Sequence, residues 1–269
     1  MTAGLHVEAA GASEPDALPW VLLHGWGLNL RVFDGLASAL AAGGERVLRI
    51  DLPGHGRSAF DERAVSFDAQ VSVLLEALLD ALPDRARIAG WSLGGQFALA
   101  LARRAPHRVA GLVLIASTPR FVASADWPSG MKPAFLDAFA ARLATDWRAV
   151  LDEFLALQVR GSRDAADVLR SLHAALEAQG APDPRALAAG LSFLRDNDFR
   201  DAARGIACPT LLISGQHDRV AHPAASAWLA AAMPHARHVE LPRAGHAPFL
   251  SHPIEMLAAM RAFAADSPA

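Results

Sequence analysis

The sequence predicts an α/β fold in which a mostly parallel sheet is covered by helices on both faces. Short, continuous apolar runs alternate with stretches of helical periodicity along most of the 269 residues. This alternation is typical of parallel strands that are buried on both sides. With 52% apolar and 20% charged residues, the chain is also apolar enough to bury a large core as one globular unit.

The predicted elements follow the hydrophobic pattern in chain order. Strands are expected where apolar runs are short and bounded by turn residues, at 5–8, 20–23, 47–50, 87–89, 112–115, 210–214 and 238–241. Helices are expected where apolar residues recur three or four positions apart, at 32–42, 67–78, 96–105, 224–233 and 254–264.

The alternation of strands and helices stops after residue 115. From about residue 118 to residue 204 only helical periodicity remains, interrupted by turn-forming residues at 127–130 and 180–184. We therefore predict a helical cap, residues 118–204, inserted into a sheet domain made of residues 1–117 and 205–269.

The hexapeptide Gly90-Trp91-Ser92-Leu93-Gly94-Gly95 lies between a predicted strand and a predicted helix. Glycines two residues to either side of a serine let strand and helix approach closely at a strained turn. The Ser92 hydroxyl would then stand over the end of the sheet, and the Leu93 amide could donate to a developing oxyanion. Ordinary tight turns share this pattern, so a nucleophile requires an acidic residue and then a histidine beyond later strands.

Both required residues are present in the required order. Asp218 follows the strand at 210–214, and His246 follows the strand at 238–241. Because ligands bind at the carboxyl ends of parallel strands, Ser92, Asp218 and His246 are expected to converge. His246 would act as general base and then general acid, and Asp218 would fix its tautomer.

A second oxyanion donor is expected in the turn formed by residues 24–27, after the strand at 20–23. The Trp26 amide is our candidate, and its indole would either wall an acyl pocket or pack in the core. The polar loop that follows the next strand holds Asp51 and His55, but further ligands do not occur at metal-binding spacing. We interpret that loop as structural and predict neither a metal nor a cofactor.

Composition argues against several classes of protein. The net charge is −3 without a basic or acidic tail, so neither nucleic acid nor an anionic membrane is an expected partner. The single cysteine, Cys208, excludes an internal disulfide. The first residues lack a signal-peptide pattern, and apolar runs stay well below the roughly 20 residues that span a bilayer. We expect a cytoplasmic monomer.

Several motifs carry a family resemblance. Residues 23–27, 51–58, 90–95, Asp218 and 245–246 resemble the α/β-hydrolase superfamily along nearly the whole chain. More specific matches lie at 127–128 with 132–133, at 154–158 and at 246–253. Together with the hexapeptide, these resemble the pimeloyl-acyl-carrier-protein methyl ester esterases of biotin synthesis.

The resemblance implies a serine carboxylesterase that cleaves the methyl ester of a pimeloyl chain held on an acyl-carrier protein. It also implies a substrate site lined by Trp26, Ser92, Leu93, Phe154, Leu155, Ala156, Leu157, Gln158 and His246. Two rival enzymes of the same fold would share the triad: a general short- or medium-chain carboxylesterase, and a carbon–carbon bond hydrolase. A non-catalytic ligand-binding protein of this fold would usually lack a triad residue, and none is missing here.

The cap carries two further candidate features. Leu151, Phe154, Leu155 and Gln158 are spaced i, i+3, i+4 and i+7, so they should share one helix face directed at the sheet domain or at a cavity above Ser92. The Gln158 amide would then bind substrate, or else water or backbone.

An acidic carrier protein would also need a basic surface. The candidates are Arg142, Arg148, Arg160, Arg163 and Arg170, although five acidic residues between 142 and 170 balance them. Helical spacing favours a shared face for Arg160, Arg163 and Arg170. Arg163 could instead form a surface pair with Asp167.

Overall fold

The computed structural model describes residues 4–12, 18–82 and 84–266. Seven strands form one sheet in the order β1-β3-β2-β4-β5-β6-β7. They are β1 (Val7–Ala10), β2 (Trp20–Leu23), β3 (Val47–Ile50), β4 (Ala86–Trp91), β5 (Val109–Ile115), β6 (Thr210–Gly215) and β7 (Ala236–Leu241). β1 pairs antiparallel with β3, and the other pairs are parallel. The predicted mostly parallel sheet is confirmed.

The helices are α1 (Asp34–Ala42), α2 (Phe67–Ala81), α3 (Leu93–Arg104), α4 (Pro133–Val159), α5 (Ala165–Gln179), α6 (Pro184–Asp196), α7 (Arg200–Arg204), α8 (Pro223–Ala232), α9 (Pro248–Ser251) and α10 (Pro253–Asp266). Short 3₁₀ helices lie at Leu30–Phe33, Glu62–Ala64 and Pro106–Arg108. In the part of the chain that the structure describes, every helix is too short or too polar to span a bilayer.

The central strands are buried because both faces are covered. Every residue of β2, β3 and β5 is buried, as their continuous apolar runs predict. The edge strand β1 is only partly buried, and it begins two residues later than predicted. Its four residues pair with the four residues of β3, from Val7 opposite Ile50 to Ala10 opposite Val47. The length of β3 therefore sets the bounds of β1.

Helices α4 to α7 occupy the predicted cap segment between β5 and β6. Among the described residues of this segment, β-type pairing is limited to two isolated bridges, Val122 with Met131 and Ser124 with Trp127. The segment is thus helical, as its periodicity indicates. Its treatment as a separate cap domain stays a prediction.

Helix α4 is broken into two arms at Asp146, whose φ of −150° and ψ of 66° are not helical. The Asp146 carboxylate accepts from the Ala149 amide at 3.1 Å and so caps the second arm. Arg142 on the first arm donates to both carboxylate oxygens of Glu153 on the second, at 2.8 and 3.0 Å. The two arms therefore lie side by side.

Candidate active site

Ser92 sits at the sharp turn between β4 and α3. Its φ of 55° and ψ of −118° lie where residues other than glycine rarely occur. A Cβ on Gly90 would lie 2.2 Å from the Gly94 carbonyl oxygen, and one on Gly94 would lie 2.2 Å from the Leu23 carbonyl oxygen. Both contacts are with backbone, so only glycine lets strand and helix approach this closely.

Strand β5 and the residues after it hold this turn. The Ser92 amide donates to the Ile115 carbonyl at 2.9 Å, and the Ser117 hydroxyl donates to the Ser92 carbonyl at 2.8 Å. Ser92 is only 2% exposed. The strained conformation is thus fixed by hydrogen bonds from a neighbouring strand, which sequence reasoning did not identify.

His246 and Asp218 form a buried pair. His246 Nδ1 lies 2.8 Å from Asp218 Oδ2, and both side chains are fully buried. Asp218 Oδ1 also accepts from the amides of Val220 and Ala221, at 2.8 and 2.9 Å. Because a carboxylate only accepts, the hydrogen-bond network assigns the proton to Nδ1 and leaves the lone pair on Nε2. Among the described residues Nε2 has no partner, so it can accept a proton.

Trp91 brings His246 to the serine turn. Its indole N–H donates to the His246 carbonyl at 2.7 Å, and the two rings lie 5.7 Å apart between centroids. The residue that precedes Ser92 is therefore bonded directly to the histidine loop. The sequence contained no signal for this contact, which joins residues 155 positions apart.

The cap also contacts this histidine loop. The His246 amide donates to the Gln158 carbonyl at 2.9 Å. The Gln158 side chain is 2% exposed, and its Oε1 has no hydrogen-bond partner within the described ranges. Gln158 was predicted to be a polar group on an apolar stripe. Its backbone additionally ties the end of α4 to His246.

The 24–27 turn lies against the nucleophile. A Cβ on Gly25 would lie 3.2 Å from Ser92 Cβ, which places the next residue, Trp26, beside the serine turn. Within the described part of the chain, neither the Trp26 amide nor the Leu93 amide donates to a protein acceptor. Leu93 opens α3, where amides are unpaired and the helix dipole is positive. Both candidate amides are thus without a protein acceptor among the described residues, and their role as oxyanion donors stays a prediction.

Two buried histidines hold the 24–27 turn. His24 Nδ1 donates to the Gly25 carbonyl at 2.8 Å, and His24 Nε2 accepts from the Leu52 amide at 2.9 Å. His55 Nε2 accepts from the Gly27 amide at 3.3 Å. Burial lowers the pKa of His24 to about 4 and that of His55 to about 3, so both rings are neutral at pH 7.

The carboxylate of Asp51 organises the adjacent loop. It accepts from the amides of Leu30 and Arg57, at 2.8 and 3.0 Å, and burial raises its pKa. These contacts agree with a structural role for the loop. In the described residues, His, Cys, Asp and Glu side chains do not form a group of three or more that could hold a metal ion.

The apolar stripe of α4 faces inward. Leu151, Phe154, Leu155 and Gln158 are each at most 2% exposed. Phe154 packs edge-on against Trp26 with ring centroids 5.0 Å apart, and the indole N–H of Trp26 donates to the Leu187 carbonyl at 2.9 Å. The two interpretations of this indole are therefore compatible, because Trp26 is both a buried packing residue and a neighbour of the cap stripe.

Two residues assigned to the substrate site by resemblance lie elsewhere on α4. Ala156 is exposed and Leu157 is half-buried, because helix geometry turns them away from the face of Phe154. They contribute to a cavity of about 310 Å³ between the two arms of α4, which is lined by Phe135, Phe139, Glu153, Ala156, Leu157 and Arg160.

The predicted shared helical face for Arg160, Arg163 and Arg170 is wrong. Helix α4 ends at Val159 and α5 begins at Ala165, so Arg160 and Arg163 lie in the turn between them. Gly161 and Asp164 have φ values of 82° and 56° in this turn, which interrupt helical continuity.

Most of the candidate arginines already have partners. Arg163 contacts Asp164 at 3.3 Å and donates to the Ser251 carbonyl at 3.2 Å, so the alternative pair with Asp167 is also wrong. Asp167 instead binds Arg170, Arg142 binds Glu153, and Arg148 stacks on Trp147. Arg160 is exposed and has no carboxylate partner among the described residues.

Helix α6 also contacts the site, and the sequence analysis above does not predict this contact. A Cβ on its Gly190 would lie 2.5 Å from Trp26 Cδ1 and 3.5 Å from Leu93 Cδ2. Gly190 is therefore within close contact of both residues that carry the candidate oxyanion amides. A glycine inside a helical pattern was the available signal, because it often marks a close approach.

Comparisons with known proteins place this geometry in context. Residues 19–253 match the family described as alpha/beta hydrolase fold. A pimeloyl-[acyl-carrier protein] methyl ester esterase from Nitrosomonas europaea is 43% identical over 251 residues, covering 93% of this chain and 96% of the relative. One of the same name from Stenotrophomonas maltophilia is 42% identical over 266 residues and covers 98% of each.

Solved structures share the architecture. An esterase from Exiguobacterium antarcticum superposes with a TM-score of 0.87 at 22% identity, covering 97% of this chain and 95% of that one. An enol-lactonase from Burkholderia xenovorans gives a TM-score of 0.82 at 27% identity, with coverage of 96% and 95%. At 22% identity, the first of these likenesses establishes the fold alone.

Proposed function

Because this chain belongs to the α/β-hydrolase fold family, and within it to the family of the pimeloyl-[acyl-carrier protein] methyl ester esterases, we propose that it hydrolyses the methyl ester of a carrier-bound pimeloyl chain. It is a carboxylic ester hydrolase. One observation carries the proposed mechanism: His246, buried against Asp218, accepts through its carbonyl from Trp91, the residue before the strained Ser92.

In the first half of the reaction, the Ser92 hydroxyl attacks the ester carbonyl carbon and its proton passes to His246 Nε2. Asp218 keeps the Nδ1 proton oriented and stabilises the imidazolium. The oxygen of the tetrahedral intermediate accepts hydrogen bonds from the Trp26 and Leu93 amides. When the intermediate collapses, His246 protonates the departing methoxide, which leaves as methanol, and an acyl-enzyme remains.

In the second half, water attacks the acyl-enzyme carbonyl carbon and gives a proton to His246. The new tetrahedral intermediate uses the same two amides. Its collapse breaks the bond to Ser92, and the proton on His246 returns to the serine oxygen. The product is a free carboxylate at the distal end of the acyl chain, with the link to the carrier intact.

The proposed acyl path runs along the inner face of α4 and leaves between its two arms. Support comes from a row of aromatic rings: Trp26 to Phe154 at 5.0 Å, Phe154 to Phe139 at 6.2 Å and Phe139 to Phe135 at 4.6 Å. The row connects the buried 24–27 turn to the outer cavity. Such a path would let inner residue Phe154 and outer residues Ala156 and Leu157 contact different parts of one substrate.

The proposed carrier contact involves fewer arginines than the five candidates in the sequence. Arg160 lines the outer cavity, is exposed and lacks an ion pair within the described ranges, so its charge is available to an acidic partner. Arg142, Arg163 and Arg170 are neutralised by neighbouring carboxylates. Arg148 is also exposed, but it stacks on Trp147 and does not line this cavity. We therefore assign the electrostatic contact to Arg160 first.

The mechanism predicts that Ser92→Ala and His246→Ala each reduce ester hydrolysis by roughly 10⁶-fold, since the triad acts as a unit. The assay compares methyl pimeloyl-carrier protein with p-nitrophenyl esters of increasing chain length. Ser171→Ala is the control, because Ser171 is exposed on α5 and its loss should leave turnover unchanged.

Near-wild-type turnover by pure Ser92→Ala protein would refute the mechanism. Ser92-dependent hydrolysis of p-nitrophenyl esters without hydrolysis of the carrier-bound ester would instead identify a general carboxylesterase.

A further inference from the structure

Helix α6 crosses the carboxyl edge of the sheet directly over the candidate site. At its start, the Asp183 amide donates to the Gly54 carbonyl in the loop after β3, at 2.8 Å. In its first turn, Leu187 accepts from the Trp26 indole at 2.9 Å. Beyond its end, Asn197 donates to Gln96 of α3 at 3.1 Å. The helix thus contacts the segments after β3, β2 and β4.

The closest approach is at Gly190. An added Cβ would lie 2.5 Å from Trp26 Cδ1 and 2.9 Å from Trp26 Nε1, both too short for any carbon contact. Glycine in a helix interior weakens the helix relative to alanine, so the stability of α6 does not explain this residue. The proximity of the indole does.

The indole has little room to retreat. Trp26 is 1% exposed, and the Phe154 ring packs against it at 5.0 Å. Its N–H is bonded to Leu187 on the same helix that carries Gly190. A shift of the indole would therefore move the backbone of the 24–27 turn, where the Trp26 amide is held.

We propose that Gly190 is a positioning residue and that α6 sets the geometry of the oxyanion hole. The Leu187 carbonyl holds the Trp26 indole, and Gly190 lets the helix settle onto it, so the Trp26 amide is aligned with the Leu93 amide only while α6 is seated. The cap then does more than cover the acyl chain, because lifting α6 disassembles an oxyanion donor. This inference rests on the proposed esterase mechanism.

The test is Gly190→Ala, assayed with p-nitrophenyl acetate, which needs neither a long acyl path nor a carrier. We expect kcat to fall about 10- to 100-fold with KM changed less than about threefold, because one oxyanion donor is displaced. Gly35→Ala is the matched control: Gly35 lies in α1 and an added Cβ would meet nothing within 4 Å. It should keep wild-type kinetics.

Two further measurements separate positioning from folding. A trifluoromethyl ketone forms a tetrahedral adduct with the serine. It should bind Gly190→Ala more weakly by a factor similar to the loss in kcat/KM, while the KM for p-nitrophenyl acetate stays close to that of the wild type. In a Trp26→Leu background, adding Gly190→Ala should cause no further loss, because the clashing indole atoms are gone.

Unchanged kcat in Gly190→Ala, or an undiminished effect of Gly190→Ala in the Trp26→Leu background, would overturn the inference. A loss confined to melting temperature, with normal kinetics of the folded protein, would do the same. Each of these outcomes leaves the proposed function standing if wild-type hydrolysis depends on Ser92. Absence of any Ser92-dependent hydrolysis would instead remove the proposed function.

Discussion

At the scale of single residues, the lowered pKa of buried His55 should make the stability of the protein depend on pH. Burial lowers the pKa of His55 from 6.5 to about 3, and the nearby His24 contributes to this shift. Below about pH 6.5, the His55 ring therefore binds a proton in the unfolded chain but stays neutral in the folded protein. Stability contributed by the neutral ring is present above this pH and is lost as pH falls, by about 1.4 kcal/mol per pH unit.

We expect the free energy of unfolding of the wild type to fall by about 2 kcal/mol per buried histidine between about pH 6.5 and about pH 5. His55→Gln should lose one of these contributions, so its pH dependence should be shallower. Urea titrations across this range measure the difference.

The raised pKa of Asp51 acts in the opposite sense, but it is common to both proteins. His107→Gln, at an exposed position, should match the wild type; a curve for His55→Gln parallel to both would contradict the prediction.

At the scale of elements, the two arms of α4 divide the proposed acyl path. The buried second arm presents Phe154 to Trp26, and the first arm presents Phe139 to Phe154. Phe154→Ala should therefore penalise p-nitrophenyl octanoate more than p-nitrophenyl acetate. Each buried methylene that loses its contact is worth about 0.8 kcal/mol, or roughly fourfold in kcat/KM.

The control for Phe154→Ala is Phe263→Ala, since Phe263 is equally buried but lies in α10 against Gly111. It should lower stability with no dependence of kcat/KM on chain length. Equal losses on both esters in Phe154→Ala would mean that this ring supports the cap without contacting substrate.

At the scale of the whole molecule, the net charge of −3 would repel an acidic carrier unless positive charge is concentrated near the site. Arg160→Glu should therefore lower kcat/KM for the carrier-bound ester by about 2- to 10-fold at low salt. The deficit should shrink as salt rises. p-Nitrophenyl esters should be unaffected, because they need no protein contact.

Arg103→Glu is the control for Arg160→Glu, because it makes the same charge change at an exposed position near the far end of α3. Its kcat/KM for the carrier-bound ester should remain close to that of the wild type. Equal losses of kcat/KM in both variants would mean that the effect arises from the net charge and not from the position of Arg160. Similar losses of kcat/KM on carrier-bound and small esters would mean that Arg160 does not contact the carrier protein.

The sequence by itself determined the features that depend on neighbouring residues. β2 and β3 match their predicted bounds. A strand that is buried on both faces is marked by a continuous apolar run, which can be recognised without knowing its neighbours in the fold. The turn at Ser92 follows from the small residues around it. The order of Ser92, Asp218 and His246 was sufficient to expect that three strand ends converge, since the direction of parallel strands is set by the alternation of elements.

Only the tertiary structure decided which residues meet across long separations. The Trp26 indole binds a carbonyl 161 positions away, and His246 is held by the backbone of Gln158. Helix α4 breaks at Asp146, and the turn after Val159 places Arg160 and Arg163 outside any helix. The physical reason is that helical periodicity reports one face of an uninterrupted helix. Where helices bend, and which backbone groups they present to a loop, depends on packing between segments that the local pattern does not encode.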